Sequence, residues 1–195
     1  MKNDGAGLNQ ILDTALSLAS KNSWENLRLF DIAQQLEIGL QDIHRYCREK
    51  NDLTKAFFDR ADDAMLSRSK QVEIVHLRTS KRLHALLMSW FEVLQQHRSV
   101  AKQMLWAQLE PGHFHSQISG ILRVSRTVQW WCEAAQRSTS GFQRLIEETV
   151  LTTIFLMTLM YWCSDDSKDA INTSQFLENR LDQASCLSTC GKQSL

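Results

Sequence analysis

The chain has 195 residues, 22 basic and 22 acidic side chains, 43% hydrophobic residues, one proline and seven glycines. That length suffices for one large or two small domains with a buried core, and so few turn formers argue against a strand-rich fold. Five cysteines, an odd number, and an N-terminus (MKNDGAGLNQ) without an apolar run lead us to expect free thiols, no signal peptide and a cytoplasmic protein.

Apolar residues recur at helical spacing and nowhere alternate over a sustained stretch, so an all-α fold is predicted. The first helix is expected over about Leu8 to Ser20, with Leu8, Ile11, Leu12, Ala15, Leu18 and Ala19 as its apolar stripe. Lys21-Asn22-Ser23 ends it, and Trp24 is placed to plug the gap to the next helix. Two short patterns follow. Leu29, Ile32, Ala33 and Leu36 form one face, and Leu40, Ile43 and Cys47 form a second after a break at Glu37-Ile38-Gly39. Helices this short are not stable alone, so the two must pack together as a helix-turn-helix, whose second helix can enter a DNA major groove.

A long helix is predicted from Lys50 or Asn51, with Leu53, Ala56, Phe57, Ala61, Ala64 and Met65 on its apolar side. Beyond it, Lys81 to His97 is amphipathic, with Leu83, Leu86, Leu87, Trp90, Phe91 and Leu94 inward. Val100 to Leu109 is stopped by Glu110-Pro111-Gly112, and His113 to Ala135 carries Ile118, Ile121, Leu122, Ser125, Val128 and Trp131 on one side. After a loop at 138–141, Phe142 to Cys163 is apolar around most of its circumference. Its most apolar part, Val150 to Cys163, is fourteen residues long. That is short of the roughly 20 a membrane span needs, so a core or interface helix is expected. A last helix carries Phe176, Leu177, Leu181 and Ala184, and the tail from Ser185 is expected to fray.

The segment Ile11 to Leu53 resembles, without a gap, the N-terminal domain of the TetR family of bacterial transcription regulators. Ile11-Leu12, Ala15-Leu16, Trp24, Asp31-Ile32-Ala33, Ile43, Tyr46, Lys50 and Leu53 carry the resemblance. It implies a helix-turn-helix domain over 1–50, a connecting helix over 51–78, and a ligand-binding and dimerisation domain over 79–187, with a tail at 188–195. It also implies a homodimer formed by the last two helices, which would give the apolar helix its cover. Phe142, Leu145, Leu156, Phe176, Leu177 and Leu181 are the interface residues expected. The partners implied are double-stranded operator DNA, a second copy of the chain, and an apolar small-molecule or lipid effector.

If Leu40, Ile43 and Cys47 face inward, then Gln41, Asp42, His44, Arg45 and Arg48 face outward or sideways. Gln41 suits an adenine edge, Arg45 a guanine edge or a phosphate, and Asp42 a cytosine amino group. The resemblance puts His44 and Lys50 at phosphate-contacting positions, and Arg28 lies near the start of the preceding helix. Residues 1–66 hold eight Lys/Arg against eleven Asp/Glu, the reverse of the usual bias for a DNA-binding module. Glu37 occupies a turn position where a glycine with positive φ is common.

A second resemblance lies at the C-terminal end. Tyr161-Trp162-Cys163-Ser164-Asp165-Asp166-Ser167, Asn172-Thr173, Phe176-Leu177 and Arg180-Leu181 are similar to the end of the lipid-binding protein of the coenzyme Q pathway. It implies a TetR-type fold that binds lipid or a quinone-like molecule rather than DNA. Trp90, Met104, Trp106, Trp130, Trp131 and Met157 could line an apolar pocket, and could equally fill a core. His113 with His115, and Cys186 with Cys190, lack the further ligands of a structural metal site. No nucleophile, phosphate-loop or metalloprotease motif occurs, so no enzyme, cofactor or metal is expected.

Overall fold

A computed structural model describes residues 4–109, 114–136 and 142–190, and the side chains of 7–108, 123–136 and 145–185. The elements are α1 (Asp4–Asn22), α2 (Leu29–Gln35), α3 (Leu40–Tyr46), α4 (Lys50–Ser69), α5 (Val72–Val75), α6 (Thr79–Gln96), α7 (Arg98–Leu109), α8 (Phe114–Ala134), α9 (Phe142–Ser164) and α10 (Ile171–Cys190). A 3-10 turn, Lys168–Ala170, joins the last two, and no strand occurs among the described residues. The fold is all-α, as the helical spacing predicts.

Helices α1 to α3 pack round the start of α4. Ile11, Leu12, Ala15 and Leu16 of α1 are buried with Trp24, Ile32, Ala33, Ile43, Cys47, Leu53 and Phe57. Truncating one such leucine to alanine costs about 2–5 kcal/mol, so this apolar skeleton alone explains why two seven-residue helices hold their shape. The three helices that follow α1 share one capping device. Asp31, Asp42 and Asp52, each the third residue of its helix, accept the backbone N–H of the residue just before it: Arg28 at 3.0 Å, Gly39 at 3.2 Å and Glu49 at 3.2 Å. A carboxylate there also meets the positive end of the helix dipole.

Helix α4 runs from this unit into the rest of the molecule and packs on α6 and α8. At that crossing lies a buried carboxylate, Asp62. Its Oδ1 accepts from Trp90 Nε1 at 2.8 Å and from Thr127 Oγ1 at 3.0 Å, and its Oδ2 accepts from Arg123 Nη2 at 3.3 Å. Arg123 also donates to Asp59 at 2.7 Å and lies over the Phe58 ring, which stacks on Trp90. A second link between the helix-turn-helix unit and the rest of the molecule is the Trp24 backbone N–H, which donates to Gln103 Oε1 on α7 at 2.6 Å.

Asp165 explains the C-terminal sequence signature. Its carboxylate accepts from the Ser167 N–H (2.9 Å), the Thr173 N–H (2.8 Å) and the Thr173 hydroxyl (2.6 Å), while Ser167 Oγ accepts from the Asn172 N–H (3.1 Å). The Asp-x-Ser and Thr-x-x-Phe-Leu pieces are therefore one closing device between α9 and α10, with Leu177 buried and Arg98 donating to the Trp162 and Asp165 carbonyls. Burial pushes the Asp165 carboxyl up, but the donors from Thr173 and Ser167 outweigh it and hold its pKa at about 2. A lowered carboxylate pKa stabilises the fold above its unfolded value near 4, and that stability is lost as pH falls from about 4 towards 2. Replacing Asp165 with Asn should cost about 1–3 kcal/mol at pH 7 and flatten the acid limb of the unfolding curve, which thermal melts from pH 7 to pH 2 would record.

The pairs His113/His115 and Cys186/Cys190, the Pro111-Gly112 stop, the loop at 138–141, the side chains of Ile118, Ile121, Leu122 and Phe142, and the tail at 191–195 lie outside the described residues or side chains, whereas the fraying expected from Ser185 gives way to helix as far as Cys190. Cys47, Cys132 and Cys163 are free thiols.

Candidate nucleic-acid interface

The turn between α2 and α3 closes by three backbone bonds, from Leu36 N–H to Ile32 O, Glu37 N–H to Gln34 O, and Ile38 N–H to Ala33 O. Closing it so tightly puts Glu37 at φ 55°, the left-handed region that costs a side-chain-bearing residue about 1 kcal/mol. Gly39 does not relieve this strain. It sits at φ −77°, ψ 153°, the ordinary extended geometry of the residue before a helix. Glu37→Gly should therefore stabilise the fold by about 1 kcal/mol, a rise of roughly 2–4 °C in melting temperature for a chain of this size. It also removes a negative charge beside α3.

Ile43 and Cys47 anchor α3 inward, as their spacing predicts, while Gln41, His44, Arg45 and Arg48 are exposed and Asp42 is half-buried. Leu40 departs from the expectation. It is 51% exposed, because a residue at the first position of a seven-residue helix has no preceding turn to lie against. Asp42 faces Arg45 at 3.2 Å through one carboxylate oxygen while the other caps the helix. Arg28 is held by Asp31 at 2.6 Å, with most of its side chain in solvent.

Lys50 also differs from its expected role. Its Nζ donates to the carbonyls of Trp24 (2.7 Å), Glu25 (2.9 Å) and Leu27 (3.1 Å), and sits 5.2 Å from the Trp24 ring centre. An ammonium has three N–H donors, and all three are occupied here. Burial lowers its pKa, with Glu25 opposing. Lys50 thus fastens the α1–α2 loop to the start of α4 and has no donor left for a phosphate.

One flank of α3 opens onto a groove of about 910 Å³ between α1 and α4, with His44, Arg48, Asp52 and Arg60 on its walls. Its charges pair with each other, Arg60 with Asp13 at 2.6 Å and Lys55 with Asp52 at 2.9 Å. Tyr46 also lines the groove, and Gly7 of α1 allows its close approach: a Cβ there would come within 2.6 Å of the ring.

The six expected pocket residues do not converge. Trp90, Met104 and Trp131 are sealed in the core, and the Trp131 indole N–H donates to the Leu83 carbonyl at 2.9 Å. Trp106, Trp130 and Met157 lie on the surface. Adjacent positions on a helix point about 100° apart, which is why Trp131 is 0% and Trp130 47% exposed. A cleft of about 330 Å³ opens instead between α6 and the 3-10 turn, bordered by Met88, Phe91, Glu92 and Gln95.

Helix α9 has two apolar faces. Leu151, Ile154, Phe155, Leu159 and Trp162 are buried inside the chain, whereas Leu145, Ile146, Val150, Leu156, Met157 and Met160 are exposed. At 100° per residue the exposed set falls within about 140° of the helix circumference and forms one strip along it. Leu145 and Leu156, expected at an interface, lie on it. Leu177 and Leu181 do not: both are buried within the chain, where they seat α10. Phe176 is half-buried and stacks on Tyr161 with ring centres 4.5 Å apart. The stretch Leu145–Ser164, with a mean hydropathy of 1.3, is by length and composition alone sufficient to cross a membrane. It is thus longer than the fourteen-residue run that its most apolar residues mark.

Among known proteins, the COQ9 family profile matches residues 126–188, the end of α8 with α9 and most of α10. No curated protein matches the chain. The crystal structure of a TetR transcriptional regulator from Nitrosomonas europaea superposes with a TM-score of 0.83 at 44% sequence identity, covering 91% of this chain and 97% of the other. The likeness extends through both the helix-turn-helix and the larger helical part. With that identity over nearly the full length of both chains, this protein belongs to the TetR family of transcriptional regulators.

Proposed function

We propose that the chain is a cytoplasmic, homodimeric DNA-binding regulator that represses transcription from a palindromic operator and is modulated by an apolar small ligand. The observation that supports it most is the state of α3: it is locked from behind by Ile43 and Cys47 and offers Gln41, His44 and Arg45 to solvent. Gln41 is suited to an adenine edge, and Arg45, aimed by Asp42, to a guanine edge or a phosphate. His44, Arg48 and Arg28 supply contacts to the DNA backbone. The exposed strip of α9 is the dimer surface, and a dimer fixes the spacing of two α3 helices on a two-fold site. An effector acts only to the extent that it prefers one spacing over the other.

Selection of duplexes from a random pool by the purified full-length chain tests this reading. A palindromic consensus is expected, with Arg45→Ala binding it about tenfold or more weakly. Failure to enrich any sequence contradicts the reading, and unchanged binding by Arg45→Ala contradicts the assignment of the face.

A second reading is favoured by the COQ9 match and the apolar strip on α9. In it the chain binds a lipid or quinone-like molecule and reads no DNA. Lipid extracted from protein purified out of cells, together with an empty selection, would favour this reading over the first.

A further inference from the structure

The side of α3 away from Asp42 carries an unexpected residue. Leu40 opens the helix, is half in water, and stands one turn before His44 and next to Gln41. A single exposed leucine is ordinary on a protein surface, so exposure alone carries nothing; its place does. The first turn of the recognition helix is the part that meets base edges in a helix-turn-helix. On this helix the opposite flank is a capping carboxylate paired with Arg45. The polar reader Gln41 is thus flanked by an acid on one side and an apolar group on the other. The major groove offers an aliphatic side chain one apolar partner, the C5-methyl group of thymine.

We propose that Leu40 reads a thymine methyl in each operator half-site, beside the base pair contacted by Gln41. The proposal rests on the DNA-binding reading. It adds that one position of the site is chosen by apolar contact rather than by a hydrogen bond. Burying one methyl group is worth about 0.8 kcal/mol, so its removal should weaken binding about fourfold per half-site and on the order of tenfold for a symmetric site.

The experiment is a thymine-to-deoxyuridine scan of the selected duplex, which removes one methyl group at a time and leaves every hydrogen-bonding group in place. Wild-type protein should lose affinity at one position per half-site. Leu40→Ala should bind the thymine duplex more weakly and be indifferent to deoxyuridine there, while Leu40→Met keeps the sensitivity. Leu40 is exposed, so the melting temperature of either variant should stay close to that of the wild type. A chain that binds its selected duplex but ignores every deoxyuridine overturns the proposal alone, as does a Leu40→Ala protein with undiminished sensitivity. A chain that selects no duplex overturns the DNA reading and this assignment together.

Discussion

Asp62→Ala is expected to lose about 3–5 kcal/mol of unfolding free energy, because it removes one partner of a buried charged network. The Trp90 indole and the Thr127 hydroxyl would lose their acceptor, and the half-buried side of Arg123 would keep only Asp59. For a chain of this size that loss lowers the melting temperature by on the order of 10 °C. Asp62→Asn keeps the shape and one acceptor oxygen and should cost less. The two differ from wild type in pH dependence as well. Burial raises the Asp62 pKa, with Arg123 and the donors from Trp90 and Thr127 opposing. A raised carboxylate pKa gives stability that is fullest below the unfolded value near 4 and is withdrawn as pH rises through the folded value. That sign is opposite to the Asp165 limb, and Asn at position 62 removes it. Denaturant titrations of the three proteins at pH 4 and pH 7 separate the effects. An Asp62→Ala protein as stable as wild type would mean the network does not hold α4 to α6 and α8.

The paired substitution Leu156→Glu and Met160→Glu should convert the proposed dimer to a monomer that still folds. Both side chains are exposed on α9 and neither belongs to the buried core of their own chain. In a dimer they would be buried against apolar neighbours, and an unpaired carboxylate in such a place is strongly disfavoured. Two reading heads on one duplex act with a high effective concentration, so operator affinity should fall by about a hundredfold or more. Light scattering and the far-ultraviolet dichroism of the variant check mass and folding separately. A variant that remains dimeric places the interface elsewhere.

Most of the fold was legible as periodicity, because helical spacing marks which residues must be buried wherever one face is apolar. Ile11, Leu16, Ile32, Ile43, Leu53, Leu86 and Trp131 are all at or below 2% exposure. What periodicity could not show is which body covers a face. Leu177 and Leu181 share their spacing with interface leucines, yet α10 turns them into its own chain. Leu40 fits an inward stripe, but the stripe has no neighbour at the first turn. The acidic balance of the first 66 residues has a local explanation that a charge count hides. Asp31, Asp42 and Asp52 sit on helix N-termini, each beside a basic side chain, Arg28, Arg45 and Lys55. Lys50 shows the same limit in reverse: its place in the sequence matched a phosphate contact, and its three donors turned to carbonyls 23 to 26 positions away. The two tryptophans at 130 and 131 diverge for the simplest reason, the 100° step of the helix.

The salt dependence of binding to the selected duplex tests DNA reading by α3 most directly. If two protomers each place at least two cationic side chains from the α3 face on phosphates, the logarithm of the association constant should fall against the logarithm of salt concentration with a slope of about −4. Two chains should be bound per duplex. A flat salt response, or equal affinity for the selected and a scrambled duplex, would contradict the claim that α3 reads DNA.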